Sequence, residues 1–338
     1  MINSSDHQSD VLAIGGVKLP NRAFLAPMSG VSDLPFRRMA ARYGAGVVVS
    51  EMVACEAAAI GSEEARLRSE GEGLDLHVVQ LSGRDPEAMR VGVKVAEHVG
   101  AAIIDINMGC PARKVTSGYA GSHLMRDVKL ACDIIDATVQ SASVPVTVKM
   151  RLGWDETSLN APELARRAED LGAQMITVHG RTRCQFYNGR ADWEAIRRVK
   201  DAVSIPVVAN GDLTDPSAAP AMLERSGADG VMIGRGSYGQ PWIVGQTAAV
   251  LAGRAVPEAP RGEALLEHML EHYEMILACY GRFAGTRIAR KHLGWYLDRA
   301  EVALSGALKT MILTSSDAEA VQRALREVFS AAPESAAA

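Results

Sequence analysis

The segment Asn107-Met108-Gly109-Cys110-Pro111 sets a thiol three residues after a carboxamide, in a turn shaped by glycine and proline. A free cysteine, with an ordinary pKa of about 8.5, keeps its proton at neutral pH and can serve as a general acid. Of the other four cysteines, Cys132 and Cys279 fall on apolar helical faces and read as small inert hydrophobes. The five thiols form no Cys-x-x-Cys pair, which argues against a metal site and against a disulfide framework, and suits a reducing cytoplasm. Cys110 is therefore the expected catalytic acid.

Similar chemistry gathers wherever a short apolar run ends. Such ends carry Pro27-Met28-Ser29, Glu51, Gln80, Asn107, Lys149 with Arg151, His179 with Arg181, Asn210-Gly211-Asp212 and Gly234-Arg235-Gly236. Polar groups are costly inside an apolar core, so seven or more strand ends of this kind aimed at one mouth point to a site. The last two ends are glycine-bearing turns, in which backbone amides can approach a phosphate and Arg235 adds a charged donor. Gln80, Asn107 and Lys149 suit the polar edge of a flat redox cofactor, with Met28 as an apolar floor. Read alone, Lys149 fits a barrel ion pair with Glu51 or Asp105 equally well. Asp105 itself, in mid-strand, reads as an interior hydrogen-bonding residue.

The elements that position these residues alternate. Eight apolar runs, Ala23–Ala26, Val47–Val49, His77–Leu81, Ile103–Ile106, Val146–Lys149, Met175–Val178, Val207–Ala209 and Gly230–Ile233, are continuous, as expected of strands buried on both faces of a parallel sheet. Amphipathic helices lie between them, at Pro86–Val99, Lys129–Gln140, Pro162–Leu171, Trp193–Ala202 and Pro216–Arg225, several entered through Asp with Pro close by. Eight units predict an α/β fold of the TIM (β/α)8 barrel type over residues 1–252, in preference to a doubly wound sheet. The run Gly234–Gly239 matches G-x-G-x-x-G, but neither a strand nor an acid follows at dinucleotide spacing, so the phosphate reading stands. Residues 253–262 read as a linker. Residues 263–330 predict a small helical bundle, with helices at Glu263–Tyr280, Thr286–Ala300, Glu301–Thr314 and Asp317–Ser330. The polar start of the chain and residues 331–338 are expected to be disordered tails.

The 338 residues are 48% hydrophobic and 22% charged, without a run of about twenty uncharged apolar residues, so no membrane span is expected. The polar N-terminus resembles neither a signal nor a transit peptide, which suits a soluble cytoplasmic protein. A net charge of −4 leaves nucleic-acid binding to a local patch. Gly281–Ala300 offers one: five basic residues against Asp298, with Arg287, Arg290 and Lys291 on one helical face and Trp295 and Tyr296 nearby. A solvated basic helix is the alternative. His268-Met269-Leu270-Glu271-His272 matches H-x-x-E-H, but no companion ligand follows, so an exposed helical face is expected and no metal.

The motifs APMSGVSD at Ala26–Asp33, INMGCP at Ile106–Pro111, KMR at Lys149–Arg151, HGRT at His179–Thr182, NGD at Asn210–Asp212 and RKHLGWY at Arg290–Tyr296 closely resemble the tRNA-dihydrouridine synthases. The resemblance runs from about residue 15 to residue 320, and the subgroup most like this chain is DusB. It implies a barrel that binds FMN and a helical domain that helps hold tRNA, with no obligate protein partner evident. Pro27, Met28, Ser29, Gln80, Lys149, His179, Asn210, Gly211, Asp212, Gly234 and Arg235 would contact FMN, although Ser29 stands where the family often has Ala or Gly. Asn107, Arg151, Arg181 and Tyr187 would face the uracil. The implied reaction reduces a D-loop uridine to 5,6-dihydrouridine: hydride goes from flavin N5 to C6, Cys110 protonates C5, and NADPH or NADH restores the flavin. A flavin barrel acting on a free pyrimidine, or a non-catalytic tRNA-binding protein, are the other readings.

Overall fold

The computed structural model describes residues 12–300, 302 and 304–330; both expected tails lie outside the described residues. Its eight parallel strands are β1 (Ala23–Leu25), β2 (Val47–Ala54), β3 (Val78–Ser82), β4 (Ile103–Met108), β5 (Val146–Arg151), β6 (Met175–His179), β7 (Val207–Asn210) and β8 (Gly230–Ile233). They close on themselves, since β8 pairs with β1 through Val231 and Ala23 and with β7 through Gly230 and Val208. The expected barrel is present. A hairpin not foreseen from sequence, Ala13–Ile14 against Val17–Lys18, precedes it, and Ile14 is buried.

The apolar runs form strands because both faces are covered: nearly every strand residue is buried, by inward-facing neighbours or by the surrounding helices. Strand β2 runs well past its apolar stretch. A register shift between Val49 and Met52 lets it carry Ser50, Glu51 and Met52 toward the mouth. Aspartates cap the helices as anticipated; Asp33, Asp85, Asp127, Asp192 and Asp215 each accept a backbone N–H two or three residues on.

The C-terminal region is helical, with different boundaries. Helices expected at Glu263–Tyr280 and Thr286–Ala300 run on as Gly262–Arg299, broken only at Gly281, whose φ of 74° and ψ of 161° leave the helical region. Nothing lies within 4 Å of the place a Cβ would take there, so glycine is required by conformation and not by space. The next helix starts at Gly306 instead of Glu301, because Ser305 caps it by accepting from Leu308 N. The last is Ala318–Ser330, with Asp317 accepting from Glu319 N and Ala320 N.

This region has its own core, Leu265, Met269, Tyr273, Leu293, Tyr296, Val321 and Leu325, joined to the barrel through Trp242. The expectation that His268 and His272 lie on an exposed face is overturned. Both are buried, because that side of the helix faces the barrel helix Leu34–Arg42. His268 bridges Tyr43 Oη (3.1 Å) and Tyr296 Oη (2.8 Å), and His272 Nδ1 meets the same Tyr296 hydroxyl at 3.0 Å. Only Glu271 of the motif is solvent-facing, ion-paired with Arg42. Among the described residues no cluster of His, Cys, Asp or Glu is arranged to hold a metal ion, and no helix is long and apolar enough to cross a membrane.

Candidate active site

The strand ends converge on one cavity of about 490 Å³ at the carboxyl-terminal mouth of the barrel. Fifteen of the residues singled out from sequence line it: Pro27, Met28 and Ser29 after β1; Gln80; Asn107 and Cys110; Lys149 and Arg151; His179 and Tyr187; Asn210, Gly211 and Asp212; Gly234 and Arg235. Met52, Leu213, Thr214, Gly236 and Tyr238 line it too. Thr214 sits two residues past the Asn210-Gly211-Asp212 motif, and Gly236 belongs to the Gly234-Arg235-Gly236 turn already noted. Met52, which ends the second apolar run beside Glu51, is brought to the mouth by the β2 register shift, and Tyr238 by the turn Arg235–Ser237, which periodicity does not reveal.

The floor is one hydrogen-bonded chain. Thr147 Oγ1 and Gln80 Nε2 donate to the two Asp105 oxygens at 2.6 and 2.7 Å, and Asn107 Nδ2 donates to Gln80 Oε1 at 2.7 Å. Asn107 Oδ1 in turn accepts from Cys110 N at 3.0 Å. Asp105 thus acts as the interior hydrogen-bonding residue expected. Burial raises its pKa, and the donors from Thr147 and Gln80 partly offset that. Lys149 donates to Asn210 Oδ1 at 3.1 Å, so neither ion pair considered from sequence forms in contact. Burial and the Arg151 charge lower its pKa, while Asp105 acts against them.

Cys110 is half-buried and its loop is held at both ends, since the Cys110 carbonyl accepts from Ser122 N and Ser122 Oγ at 3.1 and 2.8 Å. Burial pushes its thiol pKa up from the ordinary value; the backbone N–H of Ala112 and the Arg151 and Lys149 charges oppose this without prevailing. A protonated thiol results. Arg151 is 1% exposed and ties this loop to the next: its Nε donates to Gly109 O, and its Nη1 to Thr182 O and Phe186 O, each at 2.8 Å. Its Nη2 group has no protein acceptor among the described residues.

At the opposite wall, Gly211 (φ 122°) and Asp212 (φ 57°) form a turn in the left-handed region. A Cβ on Gly211 would lie 2.6 Å from Ala191 Cβ and 2.9 Å from the His179 ring, so only glycine lets the imidazole pack there. The backbone N–H groups of Gly211, Asp212, Gly234 and Arg235 have no acceptor among the described residues, leaving donors along this wall for an anion. His179 is held neutral, its pKa well below the usual range, by burial and by the Arg151, Lys149, Arg181 and Arg235 charges.

Three of the expected substrate contacts are placed differently. Arg181 does not line the cavity. All its donors are engaged by the Asn188 and Gly189 carbonyls, His179 Nε2 and both Asp212 oxygens, so it shapes the turn from behind. Arg290 donates to Thr314 O (2.7 Å), at the carboxyl end of helix Gly306–Thr314. Lys291 lines a second cavity of about 330 Å³ with Asp33, Glu51 and Tyr280. Arg287 alone of the three is exposed, with its guanidinium 6.0 Å from the Phe283 ring centroid. The basic stripe is divided because the helix carrying it is wedged between the barrel and its own bundle.

Residues 24–333 match the family model described as "Dihydrouridine synthase (Dus)". A "Probable tRNA-dihydrouridine synthase" of Rhizobium leguminosarum bv. phaseoli is 52% identical over 92% of this chain and 96% of its own length. A "tRNA-dihydrouridine synthase B" of Pseudomonas aeruginosa is 46% identical over 85% of this chain and 87% of its own. Among solved structures, histamine dehydrogenase from Rhizobium sp. 4-9 superposes with a TM-score of 0.55 at 14% identity, covering 96% of this chain and 65% of that one, a likeness of fold alone. With a barrel whose strand-end motifs meet in one cavity and a family match across nearly all of its length, the chain belongs to the dihydrouridine synthases.

Proposed function

We propose that this enzyme reduces a uridine in the D-loop of transfer RNA to 5,6-dihydrouridine, with Cys110 as the proton donor to C5. The observation that carries the reading is a neutral thiol on a pinned loop at the edge of a cavity that also offers an anion-binding wall and a hydrogen-bonding floor.

The residues fit FMN. The free amides of Gly211, Asp212, Gly234 and Arg235, with the Arg235 guanidinium, would hold its phosphate. Gln80, Asn107 and Lys149 would meet the polar edge of its ring system, and Pro27, Met28 and Ser29 would flank it. When bound, FMN supplies the hydride that saturating the C5–C6 bond requires, and NADPH or NADH restores it. The protein's own part is to orient the base and move one proton. Tyr187 and the free Nη2 group of Arg151, both lining the cavity, would meet a base entering over it. The remaining Asn107 amide hydrogen and Arg151 stabilise negative charge developing on the uracil carbonyl. Cys110 then gives its proton to C5 and regains one from solvent. A base inside a folded RNA has to be unstacked to reach this depth. The helical region, with Arg287 exposed, provides a phosphate contact for that RNA.

The purified protein should be yellow, be bleached anaerobically by NADPH, and recover its colour faster with unmodified tRNA than with free uridine or orotate. Recovery at equal rates with all three would overturn the tRNA assignment, and a colourless protein that binds no added FMN would overturn the flavin. Mapping dihydrouridine in tRNA from a strain lacking the gene tests the D-loop position.

A further inference from the structure

Among the described residues only three other than glycine have a positive φ: Tyr119 (61°), Phe186 (51°) and Asp212 (57°). All three lie on loops at the catalytic mouth, after β4, β6 and β7. Left-handed backbone is unfavourable for bulky side chains and persists where the surroundings impose it, which at a binding face suggests a use for the ring. Asp212 belongs to the anion wall. Tyr119 and Phe186 belong to something else.

They are the two ends of a row of rings flanked by guanidinium groups. Tyr119 meets His123 edge-on at 4.8 Å between ring centroids, and His123 meets Trp154 edge-on at 5.8 Å. Arg126 and Arg183 stand 4.9 and 4.7 Å from the Trp154 ring centroid, and Arg183 also stands 4.5 Å from that of Phe186. The next residue, Tyr187, lines the catalytic cavity with Arg235 4.7 Å from its ring. The row is built across three loops that are themselves tied together. Arg183 N and Cys184 N donate to Gly153 O and Trp154 O, and Arg151 holds Phe186 O. Tyr119, 55% exposed, shares its loop with Cys110.

We propose that this rim, from Tyr119 to Phe186, is a second RNA-binding surface, which stacks the unpaired nucleotides beside the target base and contacts their phosphates. The proposal rests on the reading of the cavity as a tRNA uridine site. Rings interleaved with arginine suit single-stranded RNA, because every base has a face to stack and every linkage a charge to meet. Three observations choose RNA as the occupant. The row is continuous with the cavity that takes the base, it holds the guanidinium groups of Arg126 and Arg183 in a chain of net charge −4, and its loops are tied to one another by hydrogen bonds. It is independent of the helical region, whose basic residues are largely engaged internally.

Three variants test it against an in vitro, unmodified tRNA transcript by fluorescence anisotropy. Tyr119→Gly removes the ring while relieving the left-handed strain, so its unfolding midpoint should hold or rise as the Kd for the transcript increases about tenfold. Arg126→Ala, at an exposed position, should weaken binding and lower the slope of log Kd against log salt by about one. Restoration of affinity in Tyr119→Phe would support stacking over loss of loop shape. If Tyr119→Gly and Arg126→Ala both bind within about twofold of the parent, the row only packs loops together and the proposal falls. Failure of the tRNA reading is distinguishable: a parent protein that binds the transcript yet never forms dihydrouridine overturns the function and leaves the two affinities to decide the rim.

Discussion

The proton on Cys110 Sγ is the smallest quantity on which the proposed chemistry turns. Burial holds the thiol protonated against the pull of Lys149, Arg151 and the Ala112 amide, which suits the proposed role of an acid and not that of a thiolate nucleophile. With the pKa raised, the thiolate fraction at neutral pH is reduced. Inactivation by iodoacetamide should therefore be slow at about pH 7 and still be accelerating above about pH 9, and a plateau near neutrality would contradict the burial described. Cys110→Ala should bind tRNA and still be reduced by NADPH, yet lose about two orders of magnitude in rate or more. Single-turnover measurement separates these, and unchanged turnover would remove Cys110 from the mechanism. Arg181 shows the opposite relation between type and role, a charged residue at a strand end whose donors all serve the protein.

At the scale of elements, the helix Gly262–Arg299 carries a cluster that the barrel forces into an apolar interface. His268 is lowered to about 4 and His292 to about 3, mainly by burial, and His272 lies well below the usual range. These folded-state values are below the ordinary one of about 6.5, so the unfolded chain binds protons that the folded chain refuses. The stability these groups contribute is complete above about pH 6.5 and is lost as pH falls toward 4, at about 1.4 kcal/mol per pH unit for each group. The unfolding midpoint should therefore drop between about pH 7 and about pH 5. His292→Leu should flatten that drop by the share of one group, since neither ring nitrogen of His292 has a partner among the described residues. An acid dependence identical in the variant would show that His292 does not titrate in this window.

For the whole molecule, the joint between barrel and helical bundle decides which basic residues remain for RNA. Arg287 is exposed, whereas Lys291 faces Asp33 and Glu51 across the second cavity and Arg290 caps a helix. Arg287→Glu should weaken tRNA binding and lower the salt slope of log Kd by about one or more, with little change in unfolding midpoint. Lys291→Met should do the reverse, lowering the midpoint while the slope stays, because it leaves the acidic wall uncompensated. Equal loss of slope in both variants would restore the single basic stripe read from sequence.

The sequence alone determined the eight-stranded barrel, the helical extension, the place of Cys110 at its mouth and most of the cavity lining. Continuous apolar runs, aspartate caps and glycine turns are local features, and a parallel barrel places every strand end at one mouth whatever the details. Tertiary structure alone decided what each polar side chain does once it arrives there. Arg181, Arg290 and Lys291 read as donors for a substrate because charge and helical spacing say nothing of which carbonyls or acids another element brings within reach. The histidines of H-x-x-E-H read as surface residues for the same reason: the helix bearing them shows no periodic clue to the barrel packed against its polar side. The left-handed turns at Tyr119 and Phe186 were likewise invisible, since a backbone conformation imposed by three loops packing together leaves no mark in residue type.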